Sequence, residues 1–261
     1  MAKIHFMLID THSHIYSDEF NGEFDEIIRR SVESGVGKIL LPNIDSSSIK
    51  MLLEISKRYK NICYPMIGIH PTSVNEDFED ELEVFEYWLN KQKFVGIGEI
   101  GIDLYWDDTF REEQEFVFRR QLKYAKKLDL PVSVHIRESF DIVLENIKKE
   151  YFKGMKGVFH CFTGNADQAK EVIDLGFKIG VGGIVTFKNS GIDKMVAQLK
   201  PEDIVLETDA PYLAPVPYRG KRNESSYLVH VLKKVAEIYG IPEQQMADIT
   251  TQTATSLFKI R

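Results

Sequence analysis

The sequence predicts an α/β fold, a TIM-like (β/α)8 barrel, and two observations carry that expectation. Short runs rich in β-branched residues alternate with longer segments of helical period. Side chains able to ligate metal collect where those short runs end, which is the active face of such a barrel. A chain of 261 residues is near the usual barrel size, so one domain spanning residues 1–261 is the simplest reading.

Eight runs read as strands, over residues 4–10, 38–43, 63–70, 94–99, 131–136, 157–162, 177–183 and 204–209. The first belongs to the opening MAKIHFMLIDTH, whose apolar part is too short for a signal segment and leads directly into Asp10 and two histidines. Between the runs, residues 23–34, 47–58, 79–91, 112–128 and 140–149 have helical period, with Gly35, Gly154 and Gly176 as stops. A doubly wound sheet would place a glycine-rich phosphate loop after its first strand, whereas here that strand ends in histidines. The segment 210–224 is the one loop of unusual composition, combining several prolines with the basic cluster RGKR.

Composition excludes several classes. Hydrophobic residues at 43% and charged residues at 28% are those of a chain that folds by itself. A net charge of −7 argues against coating nucleic acid by bulk electrostatics, so any such contact must be local. The two cysteines, Cys63 and Cys161, form no disulfide framework; they read as buried free thiols in a reducing, cytoplasmic setting. No apolar stretch is long enough to cross a bilayer, and the sequence leaves the oligomeric state open, consistent with a monomer.

Strand one ends in DTHSH, where period-two alternation turns His12 and His14 the same way, into the barrel mouth. Strand four ends in GEIGID with Glu99, strand five in VHIRE with His135, strand six in FHCFTG with His160, and strand eight in ETDAPYL with Asp209. One metal rarely uses six such ligands and still keeps a position open for water, whereas two divalent cations sharing a carboxylate can. Mixed imidazole and carboxylate donors suit Zn, Mn, Co or Fe better than an oxygen-only Mg or Ca site, and the choice among Zn, Mn, Mg, Co and Fe stays open.

In this order, DTHSH, GEIGID, VHIRE, FHCFTG, ETDAPYL and RGKRNE resemble the motif set of TatD-type metal-dependent deoxyribonucleases over nearly the whole chain. The resemblance implies that His12, His14, Glu99 and Asp209 hold one metal and Glu99, His135 and His160 the other, with Glu99 as the bridge. It also implies hydrolysis of phosphodiester bonds in DNA, trimming single-stranded ends. Two departures stand out: Ser225 follows Glu224 where the family commonly has proline, and LYWDD after Asp103 differs from commoner versions. The ligand set implies a water activated between two cations and attacking phosphorus in line, with Asp209 as the general base.

Around these ligands, His70 ends strand three in GIHP and reads either as a contact to substrate or a metal-bound group, or as a turn histidine. Arg137 suits a phosphate oxygen, or an ion pair with Glu138. Arg219, Lys221 and Arg222 form a basic patch that could grip a phosphate backbone, or stay solvated. Tyr105 and Trp106 suit base stacking, or loop anchoring. Asp10 reads as an orienting residue or a structural hydrogen-bond partner, and His5 and His230 as structural. Two other functions compete: an amidohydrolase or phosphotriesterase acting on a small molecule, against which Glu99 stands where related barrels often carry a modified lysine, and a non-catalytic nucleic-acid or protein binding module.

Overall fold

The structure, a computed structural model, describes residues 7–260, so His5 and the start of the first predicted strand lie outside the described residues. Eight strands follow one another around the molecule: β1 (Leu8–Asp10), β2 (Val36–Leu41), β3 (Cys63–Pro65), β4 (Ile97–Asp103), β5 (Val132–Arg137), β6 (Gly157–Phe159), β7 (Phe177–Val181) and β8 (Ile204–Leu206). All neighbours pair in parallel, as β1–β2–β3 and β4–β5–β6–β7–β8. Each seam between the two sheets is spanned by a parallel bridge, Ile67 with Ile97 and Ser13 with Ala210. Backbone bonds reinforce both: Gly98 N–H donates to Ile67 O at 2.9 Å and Thr11 N–H to Leu206 O at 3.1 Å. The result is the TIM-like arrangement, with helices supplying the crossovers that parallel strands require.

The helices are α1 (Phe24–Glu33), α2 (Ile49–Arg58), α3 (Phe78–Lys91), α4 (Arg111–Leu128), α5 (Phe140–Glu150), α6 (Ala166–Asp174), α7 (Ile192–Val196), α8 (Leu228–Tyr239) and α9 (Glu243–Phe258). The five predicted from periodicity fall within two residues of these bounds. Gly35 and Gly176 follow the caps of α1 and α6 with positive φ, whereas Gly154 lies in a turn beyond the cap of α5. No helix among the described residues is long and apolar enough to cross a membrane.

The strands differ more from expectation, most notably beside the candidate ligands. β4 runs past Glu99 to Asp103, because a register shift between Ile97 and Ile100 re-aims the strand instead of ending it. Gly101 permits the continuation: its φ is 150°, and a Cβ there would stand 2.0 Å from His135 O. β6 and β8 stop early, since Cys161 and Asp209 have φ of 44° and 58°, outside the extended region. Cys63 is buried as expected, but Cys161 is only half-buried, because the left-handed turn carries it past the end of the strand.

A large core packs the sheets against the surrounding helices. A second cluster joins Ile9, Leu40, Val158 and Val205 of the strands, and Met66 just past β3, to Ala254, Leu257, Phe258 and Ile260. The Thr251 hydroxyl donates to Met7 O and the Lys259 ammonium pairs with Asp129, residues that precede β1 and β5. α9 therefore closes the end of the strands opposite the candidate ligands.

Candidate metal centre

Glu99 is the hub. Its Oε2 lies 3.1 Å from His12 Nε2 and 3.4 Å from His14 Nε2, while its Oε1 lies 2.6 Å from His160 Nε2, 2.8 Å from His135 Nδ1 and 3.2 Å from His70 Nε2. Burial would push this carboxyl up, yet its interactions with His160, His70 and His12 outweigh that and hold the group well below the usual carboxylate range. Asp209 Oδ1 sits 3.7 Å from both His12 Nε2 and His14 Nε2. Burial raises the Asp209 pKa against the attraction of His160 and His14. The structure thus brings together all six residues picked out as ligand candidates.

Hydrogen bonds behind the rings set which nitrogens are free. The Tyr16 hydroxyl gives its one proton to Pro42 O, so it accepts from His14 Nδ1–H at 2.9 Å and leaves the Nε2 lone pair facing Glu99. Asp103 accepts from His135 Nε2–H at 3.0 Å, which frees Nδ1. His70 is different. Its Nδ1 accepts from Thr72 N–H at 3.2 Å, so its proton is on Nε2 and that nitrogen donates to Glu99 instead of offering a lone pair. His70 is consequently both the turn histidine and a residue of the centre.

Asp10 ties β1 to the β8 turn, accepting from Thr208 N–H at 2.9 Å and the Thr208 hydroxyl at 2.6 Å. Burial pushes its pKa up to about 6. Ser225, in place of the expected proline, is buried with its Oγ 3.3 Å from Ser13 Oγ, and neighbouring Glu224 pairs with Arg30 at 2.6 Å. His230 lies on α8 beside Tyr218 and Tyr227, away from the centre.

Divalent cations fit this donor set. Three overlapping groups offer ligand atoms within 4.8 Å of one another: His12 with His14 and Asp209, His12 with Glu99 and His160, and His70 with Glu99 and His135. The tautomer of His70 removes it from the third group as a donor, leaving Glu99 and His135.

Two flanks frame the centre. The Arg137 guanidinium stacks 3.8 Å from the Tyr105 ring and 5.1 Å from that of Trp106. Tyr105 and Trp106 are 49% and 71% exposed, so they do not anchor the loop by burial. Tyr105 N–H donates to Asp103, the same carboxylate that orients His135. On the other flank Arg219 lies 4.3 Å from the Phe187 ring and Lys221 is exposed. Arg222 is committed elsewhere, to Glu23 at 2.8 Å and to Glu19 O. The RGKR cluster is thereby divided.

Two carboxylates escaped the sequence reading, Asp103 and Glu207. Both were within reach of the alternation rule, since Asp103 shares the parity of Glu99 and Glu207 that of Asp209. Glu207 is fully buried, and burial pushes its pKa up to about 8.

The family model described as TatD related DNase matches residues 9–259. An uncharacterized metal-dependent hydrolase of Bacillus subtilis, YabD, is 36% identical over 97% of this chain and 100% of its own. The crystal structure of YjjV, a TatD homolog from Escherichia coli, superposes with a TM-score of 0.92 at 31% identity, covering 97% of this chain and 98% of that one. A TatD-family hydrolase of Entamoeba histolytica shares the fold at a TM-score of 0.83 and 22% identity, over 97% of this chain and 98% of that one.

Proposed function

The chain belongs to the TatD-related DNase family, and from that premise we propose that it is a metal-dependent hydrolase, one domain over residues 1–261, that cleaves phosphodiester bonds of single-stranded DNA with two divalent cations. The observation that carries this reading is the division of imidazoles by Glu99: His12 and His14 face one carboxylate oxygen, His135 and His160 the other. One buried carboxylate with donors on both sides suits a bridge between two cations.

His12, His14 and Asp209 would hold one cation, His135 and His160 the other, with Glu99 shared. Bound there, the pair would lower the pKa of water and neutralise charge that develops on the phosphate. Asp209 takes the proton of the attacking water, a role suited to a carboxylate 3.7 Å from both His12 Nε2 and His14 Nε2. His70 donates to Glu99 and keeps that carboxylate from rotating out of line. Arg137, Tyr105 and Trp106 hold the nucleotide beside the scissile bond through phosphate contact and stacking. Arg219 and Lys221 meet the backbone further along, while Arg222 stays with Glu23.

The test is digestion of end-labelled single-stranded DNA beside a phosphate triester, each with and without chelator. Chelator-sensitive loss of nucleotides from one end is expected. Turnover of the triester alone would assign the centre to a small molecule instead.

A further inference from the structure

Three of the four ligand histidines are hydrogen-bonded from behind. His12 Nδ1 meets Ser133 Oγ at 3.1 Å, His14 Nδ1 meets Tyr16, and His135 Nε2 meets Asp103. His160 Nδ1 is buried with no hydrogen-bond partner among the described residues. Beside it stands Glu207, with Oε1 4.0 Å from that nitrogen and Oε2 also buried without a partner. A buried polar atom left unpaired is costly, so the orphaned Nδ1 points to a state in which it reaches the carboxylate beside it.

The surroundings hold the Glu207 carboxylate in place. Its Oε1 accepts the backbone N–H of Cys161, the residue directly after His160. Gly180 on β7 leaves the space that the other oxygen fills, because a Cβ there would stand 2.4 Å from Oε2. Ordinary core packing gives no reason for a glycine at that point and a carboxylate with 0% exposure beside it.

We propose that Glu207 is a positioning residue: its carboxylate accepts Nδ1–H of His160, fixing the tautomer whose Nε2 lone pair faces Glu99 and the cation beside it. This rests on the reading of His160 as a metal ligand. Closing 4.0 Å to hydrogen-bond range takes a movement of about 1 Å, within a modest side-chain rotation. β5 and β6 then present the same unit twice, His135 backed by Asp103 and His160 backed by Glu207. Such partners behind a ligand are typically worth about 10–100-fold in metal affinity.

The test is Zn2+ titration against a chromogenic chelator for wild type, E207Q, G180A, H160A and the double variant H160A/E207Q. E207Q puts an amide nitrogen opposite an N–H donor, and G180A displaces the carboxylate without changing it. Both are expected to weaken one Zn2+ site about 10–100-fold, with E207Q unfolding at the wild-type temperature in chelator. E207Q should cost nothing further once His160 is gone, because it acts through that ring. Wild-type Zn2+ affinity in E207Q overturns the proposal, as does an equal loss in the H160A background, the pattern of a merely structural role. Wild-type Zn2+ affinity in H160A itself would remove His160 from the centre, and the proposal with it.

Discussion

The two ends of the barrel bury their side chains for opposite reasons. At the base, Ile9, Leu40, Met66, Val158 and Val205 pack on Leu257 and Phe258 of α9, with no charged group in the cluster. At the rim, His12, Glu99, His160 and Glu207 are buried as deeply, among polar neighbours and beside residues held at left-handed φ. Burying ionisable groups is costly without partners or metal, and backbone strain of this kind collects at functional sites. The base stabilises a fold whose rim is arranged for binding cations.

That contrast is broken most decisively by Asp209→Asn. Loss of the proton acceptor should slow DNA digestion about 10²–10⁴-fold, while the unfolding temperature in chelator stays at or above that of wild type, since one buried carboxylate near Glu99 has been neutralised. Near-normal digestion would remove Asp209 from the chemistry. The reverse case is Phe258→Ala at the base, where truncating a side chain 3% exposed should cost about 3–5 kcal/mol. A lowered thermal midpoint with unchanged metal content per folded chain is expected; metal loss from the folded fraction would tie the two ends together.

Smaller effects sharpen the rim itself. Trp106→Ala should raise KM for single-stranded DNA by an amount corresponding to about 1–3 kcal/mol per stacked base, leaving turnover of a small chromogenic phosphodiester unaltered. Equal losses on both substrates would mean that the loop supports the metal centre rather than the nucleotide. Arg222→Ala is expected to change neither KM nor turnover, because its guanidinium is spent on Glu23. A weakened KM there would return it to the substrate path.

The rim was legible in the sequence through side-chain type: imidazoles and carboxylates at the ends of short apolar runs announce themselves one by one. The strand register was less so. Apolar patterning ends a strand at its first ionisable residue, which truncated β4 at Glu99, although Gly101 lets the ladder continue to Asp103. It also overran β6 and β8, since the residue type of Cys161 gives no sign of a left-handed φ and that of Asp209 only a weak one. Asp103 and Glu207 were marked by parity but went unread, because their importance comes from the ring nitrogen each one faces. The basic cluster misled in the other direction, because the partner of Arg222, Glu23, lies 199 residues away in sequence. The closure of the base by α9 likewise depends on contacts that join the last helix to the first strand.

Anomalous diffraction from crystals of the Zn2+-loaded protein, recorded across the zinc absorption edge, tests the shared centre most directly. Two peaks per chain are expected, one on each side of the Glu99 carboxylate, the first beside His12 and His14 and the second beside His135 and His160. A single peak, or peaks that leave Glu99 out of contact with either ion, would contradict a carboxylate-bridged pair.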